Sequence, residues 1–346
     1  MRQTLQDIAD LAGVSKVTVH KTIYGKPGVS EKTRQRVLEI VRDVGYVVNP
    51  AAASLKREVL NIAVITPSLE PSLNYFHRIV AMGIDEAEAD LSMYRVAIKR
   101  YFSDTSWQSQ AEILDSILEK GGIDGVVIYC NDDAMLNERF EQLHANAVPV
   151  VTFHGDAPAS CRIACVTAPD ERSGRLAAEM ISNLVQESGH ILVLGGNKAM
   201  TVLRDNVAGF FGFIREHRQD LSILEINDFE TIPQLMNEFR RLCDALGDVK
   251  GVYCNSARNC PPLCETIVDM GLAGKIKVIT NDVFSELRPY FEQGVVNATM
   301  WQDPKNQARN AIHLMYRHLT ASGIPEKLYS VRFGIVMRSN FEDYCD

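Results

Sequence analysis

Three kinds of signal are absent from this sequence, and each absence removes a class of protein. No run of about 18 apolar residues occurs, which excludes a membrane-spanning helix. The opening residues, Met1-Arg2-Gln3-Thr4-Leu5-Gln6-Asp7, lead into no apolar core of the export-signal kind, so a cytoplasmic location is expected. Cysteine is sparse, with eight in 346 residues, and reads as reduced thiol rather than a disulfide scaffold. Cys161 and Cys165 have three residues between them, as do Cys260 and Cys264, so neither pair has the spacing of a zinc ribbon. The nearest histidines, such as His154, complete no ligand pattern, and no metal is expected. Cys165 sits in an apolar stretch and reads as a small buried hydrophobe. There is no Gly-x-Ser-x-Gly elbow. Gly195-Gly196-Asn197-Lys198 lacks the Gly-Lys-Ser/Thr ending of a phosphate loop. No acid and base pair off for a reaction, so neither an enzyme nor a cofactor is expected.

What is present is an ordinary globular composition, 46% apolar and 23% charged. This excludes a disordered, collagen-like or coiled-coil chain. At about 100–200 residues per domain, the length suggests two or three domains. Charge is divided unevenly. Residues 1–60 hold ten Lys and Arg against six Asp and Glu, a balance of +4, which leaves −12 for the rest of a chain totalling −8. A basic module on an acidic body can approach phosphate while the body discourages nonspecific contact.

The basic module reads as three helices. Thr4 is a candidate N-cap, followed by Leu5, Ile8, Ala9 and Ala12 at helical spacing. Gly13 suits a tight turn. Ser15 can cap a second helix from Lys16 to about Ile23, with Val14, Val19 and Ile23 toward the first. A third helix follows Ser30, with Val37, Leu38, Val41 and Val44 on one face and Gly45 at its end. Two short helices across a glycine turn, closed by a third, form the helix-turn-helix plan.

Leu5-Gln6-Asp7-Ile8-Ala9, Ala12-Gly13-Val14-Ser15, Thr18-Val19, Val29-Ser30, Thr33-Arg34, Val37, Gly45-Tyr46 and Asn49-Pro50 together resemble the DNA-binding domain of the lac repressor family, without a gap from Thr4 to Lys56. The resemblance implies that Lys16, Val17 and Lys21 point into the major groove. Lysine can donate to guanine O6 and N7, and valine can pack on a thymine methyl. Ser15, Thr18, Ser30 and Thr33 are expected at phosphates, with Thr4 at the first helix start. His20 replaces the serine usual in the family, and is open to a phosphate or to solvent. Lys21 replaces an arginine and lacks its planar fork.

Asn49-Pro50-Ala51-Ala52-Ala53-Ser54-Leu55-Lys56 is helix-capable, with Asn49 as cap and Pro50 at the first helical position, but too short to be a stable lone helix. By resemblance it is a hinge helix that folds on DNA, with Ala52 against the partner's hinge and Leu55 wedged into the minor groove.

From Leu60 onward apolar strands alternate with amphipathic helices. Leu60–Thr66, Arg95–Ile98, Gly125–Cys130 and Val148–Phe153 form one set of strands; Ile191–Gly195, Leu221–Ile226, Gly251–Cys254 and Lys277–Thr280 form another. Tyr75–Ala89, Gln108–Lys120 and Gly174–Glu187 read as helices between them. This implies an α/β body of two Rossmann-like subdomains with parallel sheets covered on both faces, behind an all-α head. Pro169-Asp170-Glu171 with Gly174, Gly189-His190-Ile191, Arg204 with Gly209-Phe210, Asn281-Asp282, and Gln302 with Pro304 resemble the same family's effector-binding core, related to type I periplasmic sugar-binding proteins. Glu171 stands where asparagine is usual, and Asn255-Ser256 lacks an acid often found in that loop. The expected division is a head over 1–48, a hinge over 49–58 and a core over 59–346. Within the core, the N-subdomain takes about 59–168 with 303–328, and the C-subdomain about 169–302 with 329–346.

Ligands of doubly wound sheets bind at the carboxyl ends of strands. Ser72–Phe76, Asn131, His154–Asp156, Asn255 and Asp282 occupy such loops. By resemblance Arg204 and Asp282 are the main polar anchors of an effector, with charge-assisted bonds to adjacent hydroxyls. Tyr75 or Phe76 can stack on a sugar face or simply fill the core. Asp156 can bind or only hold a turn, and Gln302 can donate from the floor. The resemblance implies a ligand-responsive repressor, dimeric on a pseudo-palindromic operator, with a carbohydrate as the favoured effector and a nucleobase or another polar metabolite as the alternatives. No C-terminal leucine heptad of the kind that makes some relatives tetramers is present. A solute-binding protein without a regulatory role is the alternative reading, and a sugar-acting enzyme a third.

Overall fold

A computed structural model describes residues 4–23, 27–44, 57–68, 75–104, 106–131, 133–196, 200–227, 231–320 and 326–345. Its first unit is helical: α1 (Leu5–Ala12), α2 (Lys16–Ile23) and α3 (Glu31–Asp43). Ile8, Ala9, Ala12, Val19 and Val37 are buried among them, with Val14, Ile23, Ile40, Val41 and Val44 packed around. Gly13 closes α1 in the left-handed conformation at φ 64°, where a side chain would be strained. Leu38, expected on the inner face, is exposed. Val37, Val41 and Val44 form the i, i+4, i+7 stripe, and Leu38 lies one residue, about 100°, off it. The third helix also stops at Asp43 with Val44 as cap, before Gly45.

The body holds two six-stranded sheets. The first contains β1 (Leu60–Pro67), β2 (Val96–Ser103), β3 (Gly125–Tyr129), β4 (Val150–Phe153), β5 (Ala164–Thr167) and β11 (Leu328–Ser330), in the order β11-β5-β4-β3-β1-β2, all parallel. The second contains β6 (Gly189–Gly196), β7 (Leu221–Asn227), β8 (Val249–Cys254), β9 (Lys277–Asn281), β10 (Ala298–Trp301) and β12 (Gly334–Val336), in the order β12-β10-β9-β8-β6-β7. In this sheet β12 alone runs antiparallel to its neighbour. Central strands are buried on both faces, which is why β1 and β3 read as continuous apolar runs.

Covering helices are α4 (Tyr75–Leu91), α5 (Trp107–Lys120) and α6 (Asp133–Ala145) on the first sheet, then α7 (Asp170–Leu184), α8 (Thr201–His217), α9 (Ile232–Leu246), α10 (Cys260–Asp269) and α11 (Arg288–Glu292) on the second. Helix α12 (Pro304–Thr320) returns to the first sheet and packs on α4. The chain therefore crosses between sheets after β5, after β10 and after β11. Two helix pairs meet at glycine. A Cβ at Gly174 would lie 1.9 Å from the Asn206 carbonyl oxygen, and one at Gly209 would lie 2.0 Å from that of Glu171, so α7 and α8 touch backbone to backbone. Gly83 does the same for α4 against Lys305.

Several expected boundaries shift. Strand β2 runs to Ser103 rather than Ile98. Helix α7 spans Asp170–Leu184 rather than Gly174–Glu187, because the acidic residues Asp170 and Glu171 suit a first helical turn. Strand β11 keeps the chain in the first sheet as far as Ser330, two residues past the expected crossing. Strands β5, β10, β11 and β12 have only three or four residues each, too short to show a period.

Candidate functional site

The head presents α2. Lys16, Val17 and His20 are exposed on it, with Val17 63% accessible, while Val19 is buried on the opposite side. An apolar side chain held that far into water is available to a surface partner. Lys21 is half-buried and leans toward the turn before α3: a Cβ added at Gly28 would stand 3.4 Å from its Nζ. Ser15 Oγ accepts the Thr18 N–H at 3.1 Å and lies 2.9 Å from Thr18 Oγ1. Ser30 Oγ accepts from the Thr33 N–H at 3.3 Å and lies 2.8 Å from Thr33 Oγ1. These hydroxyls cap helix N-termini, where outward N–H groups favour an anion. The three starts differ electrically. Thr4 shares its cap with Asp7, whose carboxylate accepts the Thr4 N–H at 2.7 Å and is held below its ordinary range by that bond. Glu31 sits in the first turn of α3. The first turn of α2 has no acid and begins with Lys16, so it is the most electropositive of the three. Asn49, Ala52 and Leu55 lie outside the described residues.

In the body the carboxyl ends of the two sheets meet. Tyr75, at the start of α4, stacks on Phe284, just beyond β9, with ring centroids 4.4 Å apart and planes 5° from parallel. Beside them Arg78 Nη2 lies 2.6 Å from Glu286 Oε1, and the guanidinium stands 5.3 Å above the Tyr75 ring. Behind this contact is an aromatic wall on the first sheet. His154 stacks on Tyr129 at 4.7 Å, Phe76 lies 4.5 Å from His154, and His77 meets Tyr129 edge-on at 5.5 Å. Burial holds both imidazoles neutral, His77 pushed down to about 4 and His154 to about 3. Burial also raises the Tyr129 hydroxyl, and the charges of Asp282 and Asp170 add to that across the gap between the sheets.

The expected effector residues divide into three groups. Asp282 and Gln302 come together: Gln302 Nε2 donates to Asp282 Oδ1 at 2.7 Å, and both side chains are buried. Desolvation pushes Asp282 up to about 7, opposed by that hydrogen bond. Asp282 also has φ 71°, a left-handed backbone uncommon for a residue other than glycine. Asn131 and Asn255 are buried at strand ends with a polar atom unsatisfied on each. The Asn131 N–H donates to Gln110 Oε1 at 3.2 Å, yet Asn131 Nδ2 has no partner. Asn255 Nδ2 donates to the Leu203 carbonyl at 3.1 Å, yet its Oδ1 has none. Tyr75 and Phe76 are buried at the cleft edge.

Two residues differ from their expected surroundings. Arg204 is 54% exposed on α8, with Asp205 at 3.8 Å, rather than converging on Asp282. The Asp156 carboxylate is taken by Arg162, whose Nη2 donates at 2.6 Å and whose side chain is 6% exposed. Arg162 also donates to the Lys327 carbonyl at 3.0 Å, so Asp156 fastens the loop after β4 to the start of β11. Residues the sequence reading left out are His77, Tyr129 and Phe284. Tyr129 ends the apolar run of β3, the position from which a doubly wound strand projects into its crevice; His77 and Phe284 carry no comparable signal.

Family comparisons agree with this two-part construction. The model of bacterial regulatory proteins of the lacI family matches residues 4–49, and that of a periplasmic binding protein domain matches residues 62–323. The chain joins a lacI-family head to a periplasmic binding protein domain. Catabolite control protein A of Priestia megaterium is 29% identical over 191 residues, 55% of this chain and 53% of that one, so the match spans about half the length of that relative. The transcriptional repressor PurR of Vibrio vulnificus is 24% identical over 347 residues, 97% of each chain. Among solved structures, a transporter solute-binding protein of Burkholderia graminis, in complex with D-arabinose, superimposes with a TM-score of 0.76 at 17% identity, covering 84% of this chain and 99% of that one. At that identity the likeness is one of fold. Among the described residues no helix is long and apolar enough to cross a membrane.

Proposed function

We propose that this chain is a sequence-specific DNA-binding repressor whose operator affinity is set by a small polar effector, a sugar or sugar derivative, held between the two sheets. The observation that carries the reading is the pairing of an exposed α2, acid-free at its N-terminus and bearing Lys16 and Val17, with a body whose buried strand ends keep unsatisfied polar atoms. Lys16, Val17 and Lys21 read base edges, and Ser15, Thr18, His20, Ser30 and Thr33 meet phosphates. Thr4 is the weakest of the phosphate contacts because Asp7 shares its helix start. Two copies act together, since each head reads one half-site of a pseudo-palindrome. Asn49, Ala52 and Leu55, outside the described residues, add contacts to the DNA, with Leu55 at the minor groove.

In the cleft, Asp282 and Gln302 form the central polar pair, and Asn131 and Asn255 supply further hydrogen bonds from opposite sheets. Arg204 can join only from the rim. The effector acts through different affinities for two arrangements of the sheets, and the Tyr75–Phe284 and Arg78–Glu286 contacts belong to one of them. The test is operator retention by the full chain with and without a bound sugar. A change in operator affinity that Asp282→Ala abolishes supports the reading; a sugar that binds and leaves operator affinity unchanged refutes it.

A further inference from the structure

Three carboxyl groups stand where the chain leaves its sheets, Asp282 and Asp303 buried and Asp170 half-buried. Asp170 follows β5, Asp282 follows β9 and Asp303 follows β10. Asp282 is 4% exposed and accepts from Gln302 Nε2 at 2.7 Å. Asp303 accepts from the Asn306 amide at 2.9 and 3.0 Å. Asp170 stands 3.2 Å from Thr167 Oγ1, which donates to the His154 carbonyl at 2.6 Å, and its other oxygen is buried without a partner. Among the described residues no guanidinium or ammonium hydrogen-bonds to any of the three. The nearby arginines are engaged elsewhere or face outward: Arg162 holds Asp156, Arg78 holds Glu286, Arg172 lies over Phe333, and Arg204 is half exposed. Burying carboxyl groups without counter-charge is costly, and burial keeps both Asp170 and Asp282 raised toward their neutral form.

A second observation concerns the uncharged groups. Asn131 Nδ2 is an unsatisfied donor on one sheet and Asn255 Oδ1 an unsatisfied acceptor on the other. A hydroxyl donates and accepts at once, so neighbouring hydroxyls can satisfy a mixed set of this kind. A phosphate or carboxylate at neutral pH only accepts, and would bring its charge beside buried carboxyl groups that no cation offsets.

We infer that this cleft takes an uncharged polyhydroxyl ligand, a free sugar or polyol, and rejects its phosphorylated and carboxylated counterparts, with Asp170 and Asp282 setting the selection. The inference rests on the effector reading above and adds to it the charge of the ligand. Calorimetric titration of the full chain with matched sets tests it: glucose against glucose 6-phosphate and gluconate, galactose against galactose 6-phosphate and galactonate, ribose against ribose 5-phosphate, and inositol against inositol phosphate. The expected result is an uncharged member that binds at least about 100-fold more tightly than its acidic counterparts. That ratio should shrink in Asp170→Asn and Asp282→Asn. An acidic member that binds as tightly as its parent overturns the inference, and so does the failure of every uncharged member to bind. Operator retention in the same samples separates the two failures. An anion that binds and alters operator affinity refutes the charge selection and leaves the effector reading intact. A sugar that is selected over its phosphate but leaves operator affinity unchanged supports the selection and refutes the effector reading.

Discussion

Replacing Asp282 by asparagine should stabilise this protein, and by an amount that depends on pH. The carboxyl is buried and sits at about 7 in the fold, against an ordinary value of 3.8. Below about pH 4 it is protonated in both folded and unfolded chains and costs nothing. Above that, the unfolded chain ionises while the folded one does not, so stability is lost steadily until the folded group also ionises near pH 7. A gap of about three units at about 1.4 kcal/mol each gives a full cost of about 4 kcal/mol. Asparagine keeps an oxygen to accept from Gln302 Nε2, but its amide nitrogen gains no evident acceptor, which returns about 1 kcal/mol. The net gain for Asp282→Asn is about 3 kcal/mol above about pH 7, or about 6–12 °C in Tm. It should fall to nothing or slightly negative near pH 4. Circular-dichroism melting of both proteins across that range reads it directly. A difference independent of pH, or a variant less stable than the parent at about pH 8, refutes the argument that desolvation governs this site. The gain would come with weakened effector binding, the usual trade at a functional site.

The histidines act in the opposite direction. His77 is held neutral at about 4, so its contribution is complete above pH 6.5 and is lost as pH falls through the folded value. His77→Gln should flatten the acid-side loss by about 1.4 kcal/mol per pH unit between those limits, read from the same melts; an unchanged slope contradicts the assignment. Gly174→Ala places a Cβ 1.9 Å from the Asn206 carbonyl oxygen and should cost about 2–4 kcal/mol as α7 and α8 separate. A Tm within a degree or so of the parent's would show that the helices do not meet so closely. Asp156→Asn strips Arg162 of its carboxylate and should cost about 2–3 kcal/mol of stability without altering effector affinity. Loss of binding with stability intact would return Asp156 to the site.

The head was legible almost to the residue, because capping and turn signals are local. Ser15, Gly13 and Ser30 declare helix starts and a turn from their own chemistry. The exception, Leu38, failed because hydrophobicity names a candidate for the core and only the helix phase decides between neighbours such as Val37 and Leu38. In the body the long strands showed as apolar runs, whereas β5 and β10 to β12 were too short to do so. Their existence depends on pairing with partners up to about 160 residues away, as when Leu328 meets Cys165. The placement of the candidate residues was half legible for the same reason. Strand-end logic reached Asn131, Asn255 and Asp282, and family resemblance reached Gln302. Neither could tell that Arg162 would claim Asp156, or that Arg204 would turn outward, since both outcomes are set by side chains brought near by the fold. His77, Tyr129 and Phe284 acquire their place only when the two sheets face each other.

On the proposed function, the exposed face of α2 reads a DNA sequence on behalf of a ligand-binding body. Selection of binding sites by the full chain from a random duplex pool tests this most directly. The expected result is enrichment of one pseudo-palindromic sequence whose affinity drops about 10-fold or more in Lys16→Ala and in Lys21→Ala. A pool that stays random, or an enriched site bound equally well by both variants, would contradict it.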